Sequence, residues 1–352
     1  MKQIVISRKG GPESLLVRDV TLPEPRGGQL RIKVQAAGVN FADVMMRLGL
    51  YPDAPKLPAT PGYEVAGVVD AIGDGVSSEW QGQPVLAMCN FGGYSEYVCL
   101  NEGLVHRRPE NVSPVQGAAL LVNYLTAWQM VRVMAPAGPG DLVLIQSAAG
   151  GVGQAVIQLC KLSGARVVGS ASPAKHEHLR QQGLDFVFDS HRRDFATAVR
   201  AATAGHGVDI ALEPRNGPWI MESYNSLAKC GRLVVFGFSH AATGSGSGTL
   251  SALKTLAGVP WLKLNPIRLM NDNKSLAGVN LGRMWDMGYK TRRWVEDLLV
   301  LLESGKIEPV IDAVLPFSRA GEAHQRLENR LNVGKVILVP DCEDSGNREE
   351  GS

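Results

Sequence analysis

Three glycines, Gly150, Gly151 and Gly153, stand in AAGGVG between an apolar run, LVLIQS (142–147), and an apolar-periodic segment, VGQAVIQLCKLSG (152–164). A strand that turns through glycines into a helix exposes backbone N–H groups and the positive end of the helix dipole, and a diphosphate can lie against both. Without side chains, the glycines let it approach closely. The spacing is GGxG rather than GxGxxG, so the reading rests on the βαβ context, with a second strand, RVVGSAS (166–172), after the helix. Ala149, Gly150, Gly151, Val152 and Gly153 are the expected diphosphate contacts. The end of the second strand reads the adenosine ribose in such units, through an Asp or Glu when the 2′-hydroxyl is free. Here GSASPAKH (169–176) has no acidic residue and offers Ser170, Ser172 and Lys175 instead. Hydroxyls and a cation suit a 2′-phosphate, so the expected coenzyme is NADPH.

These residues need a sheet to hold them. Further short apolar runs lie at DFVFD (185–189), VDIALE (208–213) and RLVVFGF (232–238), with helical stretches such as AKHEHLRQQG (174–183) between. Unalternated apolar strands separated by helices predict a parallel sheet covered on both faces. A helical pattern runs from Ser113, as N-cap with Pro114 after it, to Val133. Residues 1 to about 120 read differently. KQIVIS, LLVRDV, QLRIKVQAAGV, YEVAGVVDAIG and QPVLAMC are short β-branched runs between turn signals, and they predict a compact, mostly antiparallel β domain. RRWVEDLLVLLES (292–304) reads as an amphipathic helix and VILVP (336–340) as a last strand. AATGSGSG (241–248) reads as a flexible excursion, and the tail from Asp341 as disordered.

The 352 residues, 45% hydrophobic and 20% charged, are enough for two domains with cores of their own and exclude collagen, coiled coil and wholesale disorder. A formal net charge of +2 gives no footprint for nucleic acid. No apolar run reaches the ~18–20 residues of a membrane span, and the start has no secretory core. The five cysteines are scattered without a CxxC pair, which points to a reducing, cytoplasmic setting. Of the histidines, His106, His176, His178, His206, His240 and His324 show no ligand spacing and read as surface residues. Trp261, Leu262 and Leu264 beside Lys263 and Arg268 offer a possible peripheral membrane contact.

GVNFADVMMRLGLYP (38–52), PGYEVAGVVDAIGDGV (61–76), AAGGVG and NVGKVILVP (332–340) together resemble the medium-chain dehydrogenase/reductase superfamily. Within it the chain resembles the zinc-independent quinone oxidoreductase branch, and LLVNYLTAW and SASPAKHE resemble its vesicle amine transport protein subgroup. The resemblance spans residues 5 to about 340. It implies a GroES-like β-rich catalytic domain (1–122 and 279–340) around a Rossmann-type doubly wound domain (123–278), an α/β fold overall, and a homodimer joined through strands near residues 230–280. Asn40 stands where zinc-dependent members carry a cysteine, and Tyr63 where they carry a histidine. Neither replaces a thiolate or an imidazole on zinc, so no metal is expected and Glu64 is read as structural.

Hydride transfer without zinc needs hydrogen-bond donors aimed at the substrate oxygen. The resemblance implies a cleft Asn, Asp and Tyr at Asn40, Asp43 and Tyr51. Asn40 would donate an amide hydrogen bond, Tyr51 would orient the substrate or donate a proton, and Asp43 would hold the loop. It also implies coenzyme contacts at Asn123 and Thr126, at Gly237, Phe238 and Ser239, at Val279, Asn280 and Leu281, and at Gly334 and Lys335. Two departures stand out. Ser190 replaces a tyrosine expected near the adenosine phosphate, with His191, Arg192 or Arg193 close by to compensate. LEPRNG (212–217) replaces a small Gly-Gly turn with Arg215 and Asn216, which implies a looser adenine side. The expected function is NADPH-dependent reduction of a quinone or other α,β-unsaturated carbonyl. The alternative is a non-catalytic NADPH-binding protein of a membrane surface or a redox sensor.

Overall fold

The computed structural model describes residues 1–192, 194–239, 253, 256–261 and 263–341. Arg193, His240, Leu262, the 241–248 stretch and the tail from Cys342 lie outside the described residues. The strands are β1 (Lys2–Ile6), β2 (Leu15–Asp19), β3 (Gln29–Val39), β4 (Glu64–Ile72), β5 (Pro84–Met88), β6 (Tyr97–Asn101), β7 (Val105–Arg107), β8 (Leu142–Ile145), β9 (Arg166–Ala171), β10 (Val187–Asp189), β11 (Val208–Glu213), β12 (Leu227–Val235), β13 (Ser275–Gly278), β14 (Ile311–Pro316) and β15 (Lys335–Val339). The helices are α1 (Phe41–Arg47), α2 (Pro114–Trp128), α3 (Gly151–Leu162), α4 (His176–Gln181), α5 (Phe195–Ala202), α6 (Trp219–Ser226), α7 (Pro266–Asp272), α8 (Gly288–Glu303) and α9 (Ala320–Glu328).

β8 to β13 form a six-stranded sheet in the order β10-β9-β8-β11-β12-β13, with every pairing parallel. Its central strand shows why the apolar runs do not alternate. Val143 and Ile145 of β8 join the core under α2 and α3, while Leu144 faces the opposite core with residues of α5 and α6. Both faces are covered, so every position wants an apolar side chain. The second sheet runs β14-β15-β3-β4-β5-β7, with β6 also on β3, and is antiparallel except where β14 meets β15. β1 and β2 form a separate hairpin.

α2 packs on both sheets, its buried residues sharing one core with Ala36, Ala66 and Leu86 of the antiparallel sheet and Val143 and Ile145 of the parallel one. Its residues from Gly117 to Leu121 and from Asn123 to Ala127 are buried, as expected of a helix apolar on all sides. A Cβ at Gly38 would stand 2.3 Å from the Ala118 carbonyl oxygen, so α2 lies directly on β3. Ser113 caps α2 as expected, accepting from the Gln116 N–H. The regular helix ends at Trp128, short of the predicted Val133, and widens into a π-turn over Gln129–Met134.

Seven further elements, β6, β7, β13, β14, α1, α7 and α9, are not announced by the sequence pattern, and each is short or built on a weak pattern. β13 is only SLAG, and most of it is solvent-exposed. His106 and His324, expected at the surface, are buried. Burial, helped by Arg292 near His106 and Arg47 near His324, drives the pKa of His106 down to about 4 and that of His324 to about 3.

Candidate functional site

The glycine turn opens α3 at the carboxyl end of β8. Gly150 is the N-cap, no side chain caps the helix, and no acidic residue sits in its first turn. The first amides of a helix have no intrahelical acceptor, so this end is left for an anion. A Cβ at Gly153 would stand 2.3 Å from the Ala148 carbonyl oxygen, and one at Gly151 would stand 2.2 Å from Nδ2 of Asn123. The expected contact Asn123 therefore packs on the turn itself. Gly334 donates its N–H to the Ala149 carbonyl at 2.8 Å, which ties the turn to the strand leading into β15. The residues present fit a dinucleotide diphosphate: an uncapped helix end and close-packed glycines form one cradle, with Asn123 and Gly334 against it.

The end of β9 departs from expectation. Ser170 is buried and donates its hydroxyl to Oε1 of Gln146, so it points into the sheet rather than toward a ribose. Lys175 donates from Nζ to the carbonyls of Arg330 at 2.7 Å and Asn332 at 2.6 Å, and burial lowers its pKa. Two of its three protons are thus spent on tethering the chain, leaving one for a ligand. Ser172 stays half-buried, with no capping bond from its hydroxyl. His191 turns to Asp189 and Arg192 to Asp194, both at the surface.

On the nicotinamide side, Val279 and Leu281 are buried, and Asn280 caps a short turn by accepting from the Gly282 N–H at 3.1 Å. Thr126 donates back to the Val122 carbonyl within α2. Gly237, Phe238 and Ser239 follow β12. Gly237 accepts from the Asn216 side chain, Ser239 donates its N–H to the Pro214 carbonyl at 3.1 Å, and Phe238 packs on Met45, as Tyr51 also does.

Lys335 and Asn40 lie elsewhere than the resemblance implied. Lys335 is 3% exposed; it donates to Oδ1 of Asn40 at 2.7 Å and to Oε1 of Glu64. Asn40 spends its amide on Gly38 and Glu64, at 3.3 and 3.1 Å. The second Glu64 oxygen accepts from the Val122 N–H of α2 at 2.8 Å. An ammonium, a carboxylate and an amide thus satisfy one another in the core, leaving neither Asn40 nor Lys335 turned toward a ligand. Asp43 holds three loops together, accepting from the Asn40 N–H (2.8 Å), the Gly62 N–H (2.9 Å) and the Tyr94 hydroxyl (3.0 Å). Burial outweighs those bonds and raises its pKa to about 6. Tyr94 keeps its proton, donates that hydrogen bond to Asp43, and is left to accept from Nε2 of neutral His324 at 3.3 Å.

The remaining donors sit in an aromatic wall. Tyr51, Tyr63 and Phe91 meet edge-on or tilted, with Tyr51 and Tyr63 centroids 6.1 Å apart and Tyr63 and Phe91 centroids 5.0 Å apart. Burial raises both tyrosine pKa values, so each phenol keeps its proton. The Tyr63 hydroxyl lies near that of Tyr51 without a well-formed hydrogen bond, and it is buried without another partner. Tyr51 reaches across to Gly282, where a Cβ would stand 2.7 Å from its hydroxyl. Beside them, a cavity of about 370 Å³ is lined by Asp53, Asn90, Gly282, Arg283, Trp285 and Asp286, and Arg283 pairs with Asp53 at 2.6 Å across it. Sequence reasoning missed Tyr63 and Phe91 as wall residues. The available signal was the recurrence of aromatics in LYPD, PGYE and NFGGY, three loops that only the fold brings together. Among the described residues, no group of three or more His, Cys, Asp or Glu could hold a metal ion.

Residues 26–110 match the alcohol dehydrogenase GroES-like domain family, and residues 151–297 match the zinc-binding dehydrogenase family. The human synaptic vesicle membrane protein VAT-1 homolog is 35% identical over 345 residues, 97% of this chain and 86% of that protein. The quinone oxidoreductase of Sus scrofa is 31% identical, covering 96% of this chain and 98% of its own. A mycobacterial protein solved in complex with NADPH superposes with a TM-score of 0.83 at 32% identity, covering 97% of this chain and 100% of that one. With a GroES-like half, a parallel-sheet half and full-length relatives on both sides, the chain belongs to the medium-chain dehydrogenase/reductase superfamily, in its VAT-1-like group beside the quinone oxidoreductases.

Proposed function

We propose that this protein is an NADPH-dependent, zinc-independent reductase of quinones or other α,β-unsaturated carbonyl compounds. The quinone oxidoreductase relative and the NADPH-bound structural neighbour support this reading. The carrying observation is the Tyr63 hydroxyl, buried beside that of Tyr51 with no well-formed hydrogen bond among the described residues, in a wall of three aromatic rings. A flat conjugated ring stacks well against such a wall, and its carbonyl oxygen would supply the acceptor that Tyr63 lacks.

The turn at Gly150, Gly151 and Gly153 would hold the coenzyme diphosphate, and Val279 and Leu281 would back the nicotinamide. Bound there, NADPH supplies the hydride. Tyr51 and Tyr63 stay protonated at neutral pH and donate hydrogen bonds to the substrate oxygen as negative charge builds on it. Met45 and Phe238 exclude water from the face between them. Asn40, Asp43, Glu64 and Lys335 fix the loops that carry the two tyrosines. The test is NADPH consumption, followed by absorbance, against a panel of quinones and enoyl thioesters. Tyr63→Phe is expected to lower kcat about 10²-fold with NADPH affinity unchanged. No turnover with any acceptor would defeat the proposal.

A second reading, reversible attachment to a lipid surface, is favoured by the exposure of Trp261, Ile267 and Met270 near Lys263 and Arg268. Sedimentation with anionic vesicles tests it, and Trp261→Ser should release the protein. We place the dimer contact at β13, the sheet edge whose outer side has no strand partner among the described residues. Light scattering on a purified sample reads the oligomer directly.

A further inference from the structure

We propose that Arg215 is the residue by which this chain selects the phosphorylated coenzyme, its guanidinium taking the 2′-phosphate of NADPH. The assignment rests on the NADPH reading above. Arg215 follows β11 at the carboxyl edge of the parallel sheet, where ligands bind in such folds. A short chain of hydrogen bonds links it to the end of β9, the position that reads the ribose. The Ser190 N–H donates to Ala171, the last residue of β9, at 2.9 Å, and Nη1 of Arg215 donates to the Ser190 carbonyl at 3.1 Å.

The side chain is only 3% exposed, yet Nε and Nη2 make no well-formed hydrogen bond among the described residues. Nε has only an ionic contact, 3.5 Å from Oε1 of Glu213, whose carboxylate is already held by the Arg215 N–H at 2.6 Å and the Ser223 hydroxyl at 2.8 Å. A buried guanidinium with donors unsatisfied is costly, and a ligand oxygen is the natural remedy. Trp219 braces the group, its ring centroid 3.7 Å from the guanidinium carbon, so the planar fork is held ready. The other groups at the end of β9 have less to offer: Ser170 faces Gln146, Lys175 has one proton left after two carbonyls, and Ser172 offers an uncharged hydroxyl. Burial, with a smaller push from Arg330, lowers the pKa of both Arg215 and Lys175 against the pull of Glu213 and Glu222 on the first and Asp312 on the second, so three cations share one neighbourhood with these carboxylates. A phosphate oxygen there would supply an acceptor to the donors that Glu213 does not satisfy. The turn LEPRNG, read from sequence as a looser adenine side, is in this light the source of phosphate selectivity.

The experiment is calorimetric titration of wild type, Arg215→Ala and Arg215→Lys with NADPH, NADH, 2′,5′-ADP and 5′-ADP. Wild type is expected to prefer NADPH to NADH by at least tenfold. Arg215→Ala should weaken NADPH and 2′,5′-ADP about tenfold and leave NADH and 5′-ADP within twofold. Arg215→Lys keeps a cation beside Glu213, so it reads the same ratio should the alanine variant fail to fold, and it should lose part of the preference. An equal loss for phosphorylated and unphosphorylated ligands, or an NADPH preference that survives both substitutions, would overturn the assignment and leave the coenzyme reading standing. Wild type that binds neither dinucleotide would overturn both.

Discussion

Replacing Lys335 by methionine removes the ammonium from a core in which Glu64 is fully buried and Lys335 nearly so. Glu64 keeps the Asn40 amide at 3.1 Å and the Val122 N–H at 2.8 Å, both neutral donors, and loses its only opposite charge. Breaking one side of a buried pair costs about 3–5 kcal/mol, against about 1 kcal/mol for an exposed pair. Asn40 adds to the loss, because its Oδ1 also gives up its partner at 2.7 Å. Glu64→Gln alone should cost a similar amount by stranding the ammonium. Lys335→Met with Glu64→Gln removes both charges and should cost about 1–3 kcal/mol, since mainly unsatisfied hydrogen bonds remain. The signature is therefore a double variant more stable than either single one. Urea unfolding of the four proteins at pH 7 measures the cycle. If Lys335→Met stays within 1 kcal/mol of wild type, or if the two losses simply add, the charges are not paired in the core and the reasoning fails.

Gly153→Ala should weaken NADPH binding at least tenfold and cost about 1–3 kcal/mol, because its Cβ would meet the Ala148 carbonyl oxygen at 2.3 Å and push the turn out of shape; unchanged affinity on titration would argue against the cradle. Stability against pH tests the buried pair of Asp43 and His324. Asp43 titrates at about 6 in the fold against 3.8 for the free group, so on its account stability falls as pH rises from about 4 through 6. His324 titrates at about 3 against 6.5, so on its account stability falls as pH drops from about 6.5 toward 3. Between pH 4 and 6 the two slopes oppose and nearly cancel. Asp43→Asn should unmask the histidine: relative to wild type the variant loses about 1.4 kcal/mol per pH unit on going from pH 6 to 4. Denaturant midpoints at three pH values would show a constant difference if this is wrong.

The parallel sheet was legible because its strands are covered on both faces and therefore apolar without alternation, as Val143, Leu144 and Ile145 are. The glycine turn was legible because only glycine suits a backbone so close to Ala148 and Asn123. The substrate wall was not, since Tyr51, Tyr63 and Phe91 come from three loops joined only by tertiary packing. Nor did the sequence reveal which polar residues would satisfy one another. Asn40 and Lys335 are 295 positions apart, and nothing local in either segment announces that they share a proton. The same holds for Ser170, whose hydroxyl lies a single strand position from the ribose-reading end yet points the wrong way.

β15 lies between β14 and β3, with Val336 registered on Val39, so the last strand sits inside a sheet begun by the first tenth of the chain. The amino-terminal half therefore leaves the ribosome with one flank of β3 open over the stretch from Ala37 to Val39. That flank closes only after residues 335–339 have been made, about 300 positions later, and until then it is a surface that a chaperone, or a second nascent chain, can occupy.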